Sequence, residues 1–187
     1  MTTEAQIRAA LAAGDARTAA TLALQAHGDA VRTYLRSMLP VDDADDVYSA
    51  TAEQIWRSLP RFRFECPLRA WAFRLAWRAV ARFHRDPYRR RGRRLESSEA
   101  SRIALALPST SAGLGGRREA FRRLQGELSL RDQTLLYLRA SRALEWEEVA
   151  AVLSRTGETT TSAALRKRYE RLKRRLVEKA RAEGLVS

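Results

Sequence analysis

The sequence predicts an all-α protein: two small helical domains, 1–87 and 118–187, joined by a flexible basic linker, 88–117. Three observations carry this. Apolar residues recur at helical spacing between recognisable start and stop signals. No segment alternates with period two through β-branched residues. Between the two helical stretches the composition turns to Arg, Ser, Gly and Pro, which suits a tether.

The helices follow in order. Thr3 with Gln6 forms a capping box for a short first helix that stops near Gly14. Asp15 caps a second, expected to end at Gly28, and Asp29 starts a third that Pro40 closes. A fourth runs from about Asp43 to Ser58 and ends before Pro60. After the loop Arg61 to Cys66, Pro67 suits the first position of a fifth helix, which stops near Arg85, before Pro87. The linker opens with Pro87-Tyr88-Arg89-Arg90-Arg91-Gly92-Arg93-Arg94 and ends Ser/Gly-rich.

Helical periodicity returns from Arg118 to about Glu183 in a helix-turn-helix pattern. Leu135, Leu136 and Leu138 supply core on one helix, and Val149, Ala150 and Leu153 face inward from a short acidic one. Gly157 is placed to end that helix in the left-handed conformation, and Thr159, Thr160, Thr161 and Ser162 offer caps for the next. The last helix has an apolar ridge of Leu165, Tyr169, Leu172 and Leu176 among seven basic residues, Arg166, Lys167, Arg168, Arg171, Lys173, Arg174 and Arg175.

Charge narrows the function. The chain has 35 basic and 22 acidic residues, and only Lys167, Lys173 and Lys179 are lysines. Residues 1–60 are net −3, 61–120 net +10 and 121–187 net +6. An acidic first third followed by two basic stretches predicts two kinds of partner, an Arg-bearing protein surface and nucleic acid. Other classes drop out. Cys66 is the single cysteine and His27 and His84 the only histidines, so neither a disulfide nor a metal site is expected. Gly113-Leu114-Gly115-Gly116 lacks the Lys-Ser/Thr of a phosphate loop, and no carboxylate pair has a base beside it. Catalysis and cofactors are therefore not expected. No run of 18 apolar residues suggests a membrane span, and the start of the chain, with Glu4, does not resemble a secretory signal. A cytoplasmic protein with a polyanionic partner is the expectation.

Two helices separate their charges. On the fifth, Leu68, Ala72, Leu75, Ala79 and Phe83 share an apolar arc, while Arg74, Arg78, Arg82 and Arg85 fall opposite, with Trp71 among them. Four like charges at this spacing without acidic partners destabilise a helix unless an anion is present. Guanidinia on phosphates and an aromatic on an unpaired base would suit a DNA strand. Trp77, at the edge of the arc, reads equally as core or contact. On the fourth helix Asp42, Asp43, Asp45 and Asp46 crowd the start. Two acids satisfy a helix N-terminus, and four invite a basic partner.

The order of these features resembles the extracytoplasmic-function sigma factors, in the sigma-70 family of bacterial RNA polymerase, over residues 10 to 183. Ala13-Gly14-Asp15 precedes the first main helix. Asp43-Ala44-Asp45-Asp46-Val47 leads an amphipathic helix ending at Ile55-Trp56. Arg61-Phe62-Arg63 precedes Arg69-Ala70-Trp71, and Leu128 to Leu153 aligns with the family's region four.

The resemblance implies a sigma-two-like domain, a linker threading toward the RNA exit path and a sigma-four-like helix-turn-helix domain. Asp45, Asp46, Ser49 and Glu53 would face the clamp helices of the polymerase core. Phe62, Arg63, Phe64, Glu65 and Cys66 form the loop that would capture a flipped minus-ten base, and Trp71, Arg74, Arg78 and Arg82 would hold the melted edge. At the minus-thirty-five element Arg166, Lys167, Arg168 and Arg171 would lie nearest the DNA, with Thr161 at the start of the helix. An anti-sigma factor is a further expected partner. Departures from the family are Ser49-Ala50 for a Gln-acid pair, Arg78 and Arg82 for Asn and Asp, Ala143 for Gly, Glu145 for a Ser cap, and a turn about five residues longer before the reading helix, if the motif's short turn is the reference. The alternatives are a decoy that titrates an anti-sigma factor, which should lose its DNA-facing charge, and a stand-alone helix-turn-helix regulator, which would not need the acidic helix.

Overall fold

In the computed structural model the described residues are 2–86, 127–154, 160–182 and 184, and they contain helices and no strand. The all-α expectation is met there. The expected linker, the start of the second domain, Gly157 and Thr159 lie outside the described residues.

Helix α1, Thr3–Ala12, is capped by Thr2, whose hydroxyl accepts from the Ala5 N–H at 3.4 Å, one residue before the expected cap. Ile7 is fully buried and anchors it. Gly14, at φ 76°, turns the chain, and Asp15 caps α2 by accepting from the Thr18 N–H at 2.9 Å. Helix α2, Ala16–Met38, corrects the sequence reading: it runs straight through Gly28 and Asp29 instead of breaking there. Gly28 has a packing role. A Cβ at this position would lie 2.8 Å from the Tyr48 hydroxyl of the neighbouring helix, so any side chain here would force the Tyr48 ring to move.

That neighbour is α3, Val41–Ser58, which buries Ala44, Thr51 and Ile55 and has no side-chain cap. Asp42 and Asp43 occupy its first turn, where the helix dipole favours them. A 3₁₀ turn, Leu59–Arg61, leads through the loop to α4, Leu68–Arg85. Helix α5, Leu130–Leu136, is capped by Ser129 and continues into a π turn, Tyr137–Ser141. Helices α6, Trp146–Leu153, and α7, Ser162–Ala182, complete the described fold.

Helix α4 organises the packing, lying against α2, α3 and α6. Its expected apolar arc is largely buried, and so is a second one: Ala70, Phe73, Trp77 and Val80 are each at most 5% exposed. Arg74, Arg78, Arg82 and Arg85 are confined to one strip between the two arcs, and Arg69 lies apart from them. Phe73 lies in edge contact with Tyr34 of α2 and with Tyr137, at centroid distances of 5.9 and 6.5 Å. The Thr134 hydroxyl donates to the Leu130 carbonyl at 2.8 Å, so the fully buried Tyr34 hydroxyl is the donor in its 2.9 Å bond to Thr134. Burial pushes the Tyr34 phenol well above its ordinary value. One buried cluster thus runs from Ile7 in α1 to Leu165 in α7.

Candidate functional site

The acidic face of α3 forms from helical spacing alone. Asp46, Ser49, Glu53 and Trp56 stand at i, i+3, i+7 and i+10, all exposed. Trp56 is 42% exposed, one of the few large apolar side chains left in solvent among the described residues, and it was not among the expected contacts. Its signal was legible: it ends the same stripe. Asp45 departs from the expected group. It turns toward α2, where Arg32 and Arg36 bind its two carboxylate oxygens at 3.0 and 2.9 Å. Hydrogen bonds from Arg32 and Arg36 bring its carboxyl down to about 2.

The loop between α3 and α4 forms an aromatic stack. Phe62 lies 4.7 Å from Phe64 and 4.7 Å from Trp71, nearly parallel to the latter. Phe64 has φ 53°, an uncommon conformation for a bulky non-glycine residue. Arg63 and Glu65 point to solvent. Trp71 corrects the sequence reading. It is 6% exposed, covered by Phe62, and is not an open member of the arginine stripe. Its ring is already stacked, and Phe62 and Phe64 beside it are half-buried. Trp77 is core.

Of the stripe on α4, Arg78 and Arg82 are exposed and Arg74 is half-buried, and none has a carboxylate partner among the described residues. Partial burial, with the Arg74 cation beside it, pushes Arg78 below its ordinary value. A row of crowded, unneutralised cations favours an anionic partner.

On α7, Thr161 caps the helix by accepting from the Ala164 N–H at 3.2 Å. Lys167, Arg171 and Arg174 share its solvent face at i, i+4 and i+7. Arg166 is exposed, its guanidinium 5.6 Å from the Trp146 ring centre. Arg168 differs from this group. It binds the buried Asp132 carboxylate through two hydrogen bonds of 2.5 and 3.0 Å, tying α7 to α5. Burial opposes the charge on Asp132, but Arg168 and Ser129 outweigh it and hold the carboxyl below the ordinary range.

No group of metal-ligating side chains occurs among the described residues, and no helix there is long and apolar enough to cross a membrane.

The Sigma-70 region 2 family model matches residues 23–92, less than half of the chain. The match spans most of α2, all of α3 and α4 and the loop between them, and so includes the acidic face, the aromatic stack and the arginine stripe. It supports a sigma factor of the sigma-70 family. No curated protein and no solved structure matches the chain.

Proposed function

We propose that the protein is an extracytoplasmic-function sigma factor, a non-catalytic subunit that directs core RNA polymerase to particular promoters and assists their opening. The observation that carries the reading is the division of charge within the region 2 match. Helix α3 presents Asp46 and Glu53 with Trp56 at the end of the row, whereas α4 presents Arg74, Arg78 and Arg82 without carboxylate partners among the described residues. One face suits the polymerase clamp and the other a DNA strand. Trp56 joins the polymerase face as an aromatic anchor.

In this reading 1–87 is the sigma-two-like domain and 118–187 the sigma-four-like one, with 88–117 between them. Arg166, Lys167 and Arg171 reach the minus-thirty-five element, and Arg168 acts as a brace for the helix that carries them. The retained arginine row argues against a decoy that would only titrate an anti-sigma factor. Binding by an anti-sigma factor and a cytoplasmic location belong to the same proposal. The test is transcription in vitro with purified core polymerase on a genomic fragment library, with and without the chain. Start sites that depend on the chain and share two upstream elements support the reading. Identical start sites in both reactions overturn it.

A further inference from the structure

The loop expected to read an unpaired base carries two local deficits. Phe64 is in the left-handed region, a conformation that persists in a bulky residue only when its surroundings fix it. Pro67, at the N-cap of α4, offers no side-chain hydrogen bond to the first turn of that helix. Both deficits are met from α1, which lies outside the matched segment. The Glu4 carboxylate accepts from the Leu68 N–H at 3.2 Å, supplying the missing cap from 64 residues away. The same carboxylate binds the Arg8 guanidinium at 3.0 Å. Arg8 in turn lies over the Phe64 ring, 3.9 Å from its centre. Phe64 rests on Phe62, and Phe62 on Trp71. Ile7, between the two charged residues in sequence, is fully buried and fixes α1 in place. An unbroken series of contacts therefore runs from α1 through the loop to α4.

We propose that α1 belongs to the strand-reading apparatus, with Glu4 and Arg8 as positioning residues that hold the 61–67 loop in the shape in which it takes up an unpaired base. This rests on the sigma-factor reading above. Arg8 is suited to the role by its planar guanidinium, which covers a ring face as a lysine ammonium does not. Its side chain remains 53% exposed, so it covers Phe64 from the solvent side.

The experiment uses holoenzyme assembled from the full chain and core polymerase. It is presented with single-stranded DNA carrying a randomised segment, and the retained molecules are sequenced. The parent chain and the variants Arg8→Ala, Arg8→Lys, Glu4→Ala and Phe64→Ala are compared. The parent is expected to show a base preference that Phe64→Ala abolishes at one position. Arg8→Ala should reduce the preference at that same position about two- to fivefold, the worth of an exposed cation–π contact. Arg8→Lys should restore part of it, and Glu4→Ala should act at the same position. Preferences elsewhere and affinity for core should be unchanged. If Arg8→Ala leaves the Phe64-dependent preference intact, the positioning role is overturned while base capture stands. A uniform loss at every position, together with weaker core binding, also overturns it, since Arg8 would then merely support the fold. If the parent shows no preference sensitive to Phe64→Ala, the base-capture reading fails and takes this role with it.

Discussion

Arg69 on α4 and Glu148 on α6 meet through two 2.5 Å hydrogen bonds across 79 residues of sequence. The arginine is 44% exposed on its side chain and the glutamate only 6%. Glu148 also accepts from the Glu145 N–H at 2.8 Å, so one carboxylate both closes the start of α6 and joins it to α4. Removing either partner has unequal consequences. Arg69→Ala should destabilise the chain by about 1–2 kcal/mol, and Glu148→Ala by more, because it also frees a backbone donor. Urea unfolding of both single variants and the double variant measures the coupling. Additive losses would mean that the pair contributes nothing as a pair.

Asp45 makes stability depend on acid. Its carboxyl falls from 3.8 to about 2 on folding, so its contribution is fully present above about 4 and is lost as pH drops toward 2. Asp45→Asn should flatten the unfolding curve across that window and leave it unchanged near neutrality in slope. The same pairing makes Asp46 the cleaner probe of polymerase binding. Asp46→Lys should weaken core affinity by about 2 kcal/mol with the fold intact, whereas Asp45→Lys sets a third cation against Arg32 and Arg36. Unchanged affinity in Asp46→Lys would remove the acidic face from the interface.

Ala143 stands where the resembled family has glycine, and its φ is 49°. A left-handed alanine costs on the order of 1 kcal/mol. Ala143→Gly should therefore raise the denaturation midpoint, and a lowered midpoint would refute the strain.

The basic residues of α4 and α7 should separate in a footprint. Arg166→Ala or Lys167→Ala should cost about 1–3 kcal/mol on the upstream element. Arg78→Ala or Arg82→Ala should impair strand opening, read by permanganate reactivity, with upstream protection kept. Arg168→Ala should instead lower stability, because Asp132 would lose the partner of its buried charge. Equal loss of upstream protection in all five would mean one undirected electrostatic surface.

Burial pushes the Cys66 thiol above its ordinary value, despite the nearby Arg74 cation. It should react slowly with thiol reagents at neutral pH. Cys66→Ser should transcribe like the parent with and without oxidant, and an oxidant response confined to the parent would show a switch.

Much of the fold was legible because its signals are local. The Asp15 cap, the end of α1 near Gly14 and the ridge of α7 follow from residues within a turn or two, whereas the first cap falls at Thr2, one residue before the expected Thr3. The failures involve distant chain. Gly28 resembles a helix stop until Tyr48, twenty residues on, is seen to need the space. Trp71 falls on the arginine arc of an isolated helix, yet Phe62 covers it. Phe73 and Trp77 belong to a second apolar arc, and Phe73 is covered by Tyr34 and Tyr137, both distant in sequence. Among the site residues, the stripe at Asp46, Ser49 and Glu53 follows from spacing, whereas the turns of Asp45 toward α2 and Arg168 toward Asp132 depend on partners that no periodicity names. Arg8 and Glu4 were missed for the same reason.

The four tryptophans fall into four different surroundings. Trp56 is open to solvent at the end of the acidic stripe, Trp71 is stacked under Phe62, Trp77 is enclosed in the core, and Trp146 lies beneath Arg139 at 4.4 Å and edge-on to Tyr169. Each of these settings thus carries its own natural fluorophore. Chains that retain one indole at a time would give separate optical readouts: polymerase docking from position 56, base uptake from 71, unfolding from 77 and engagement of the last helix from 146.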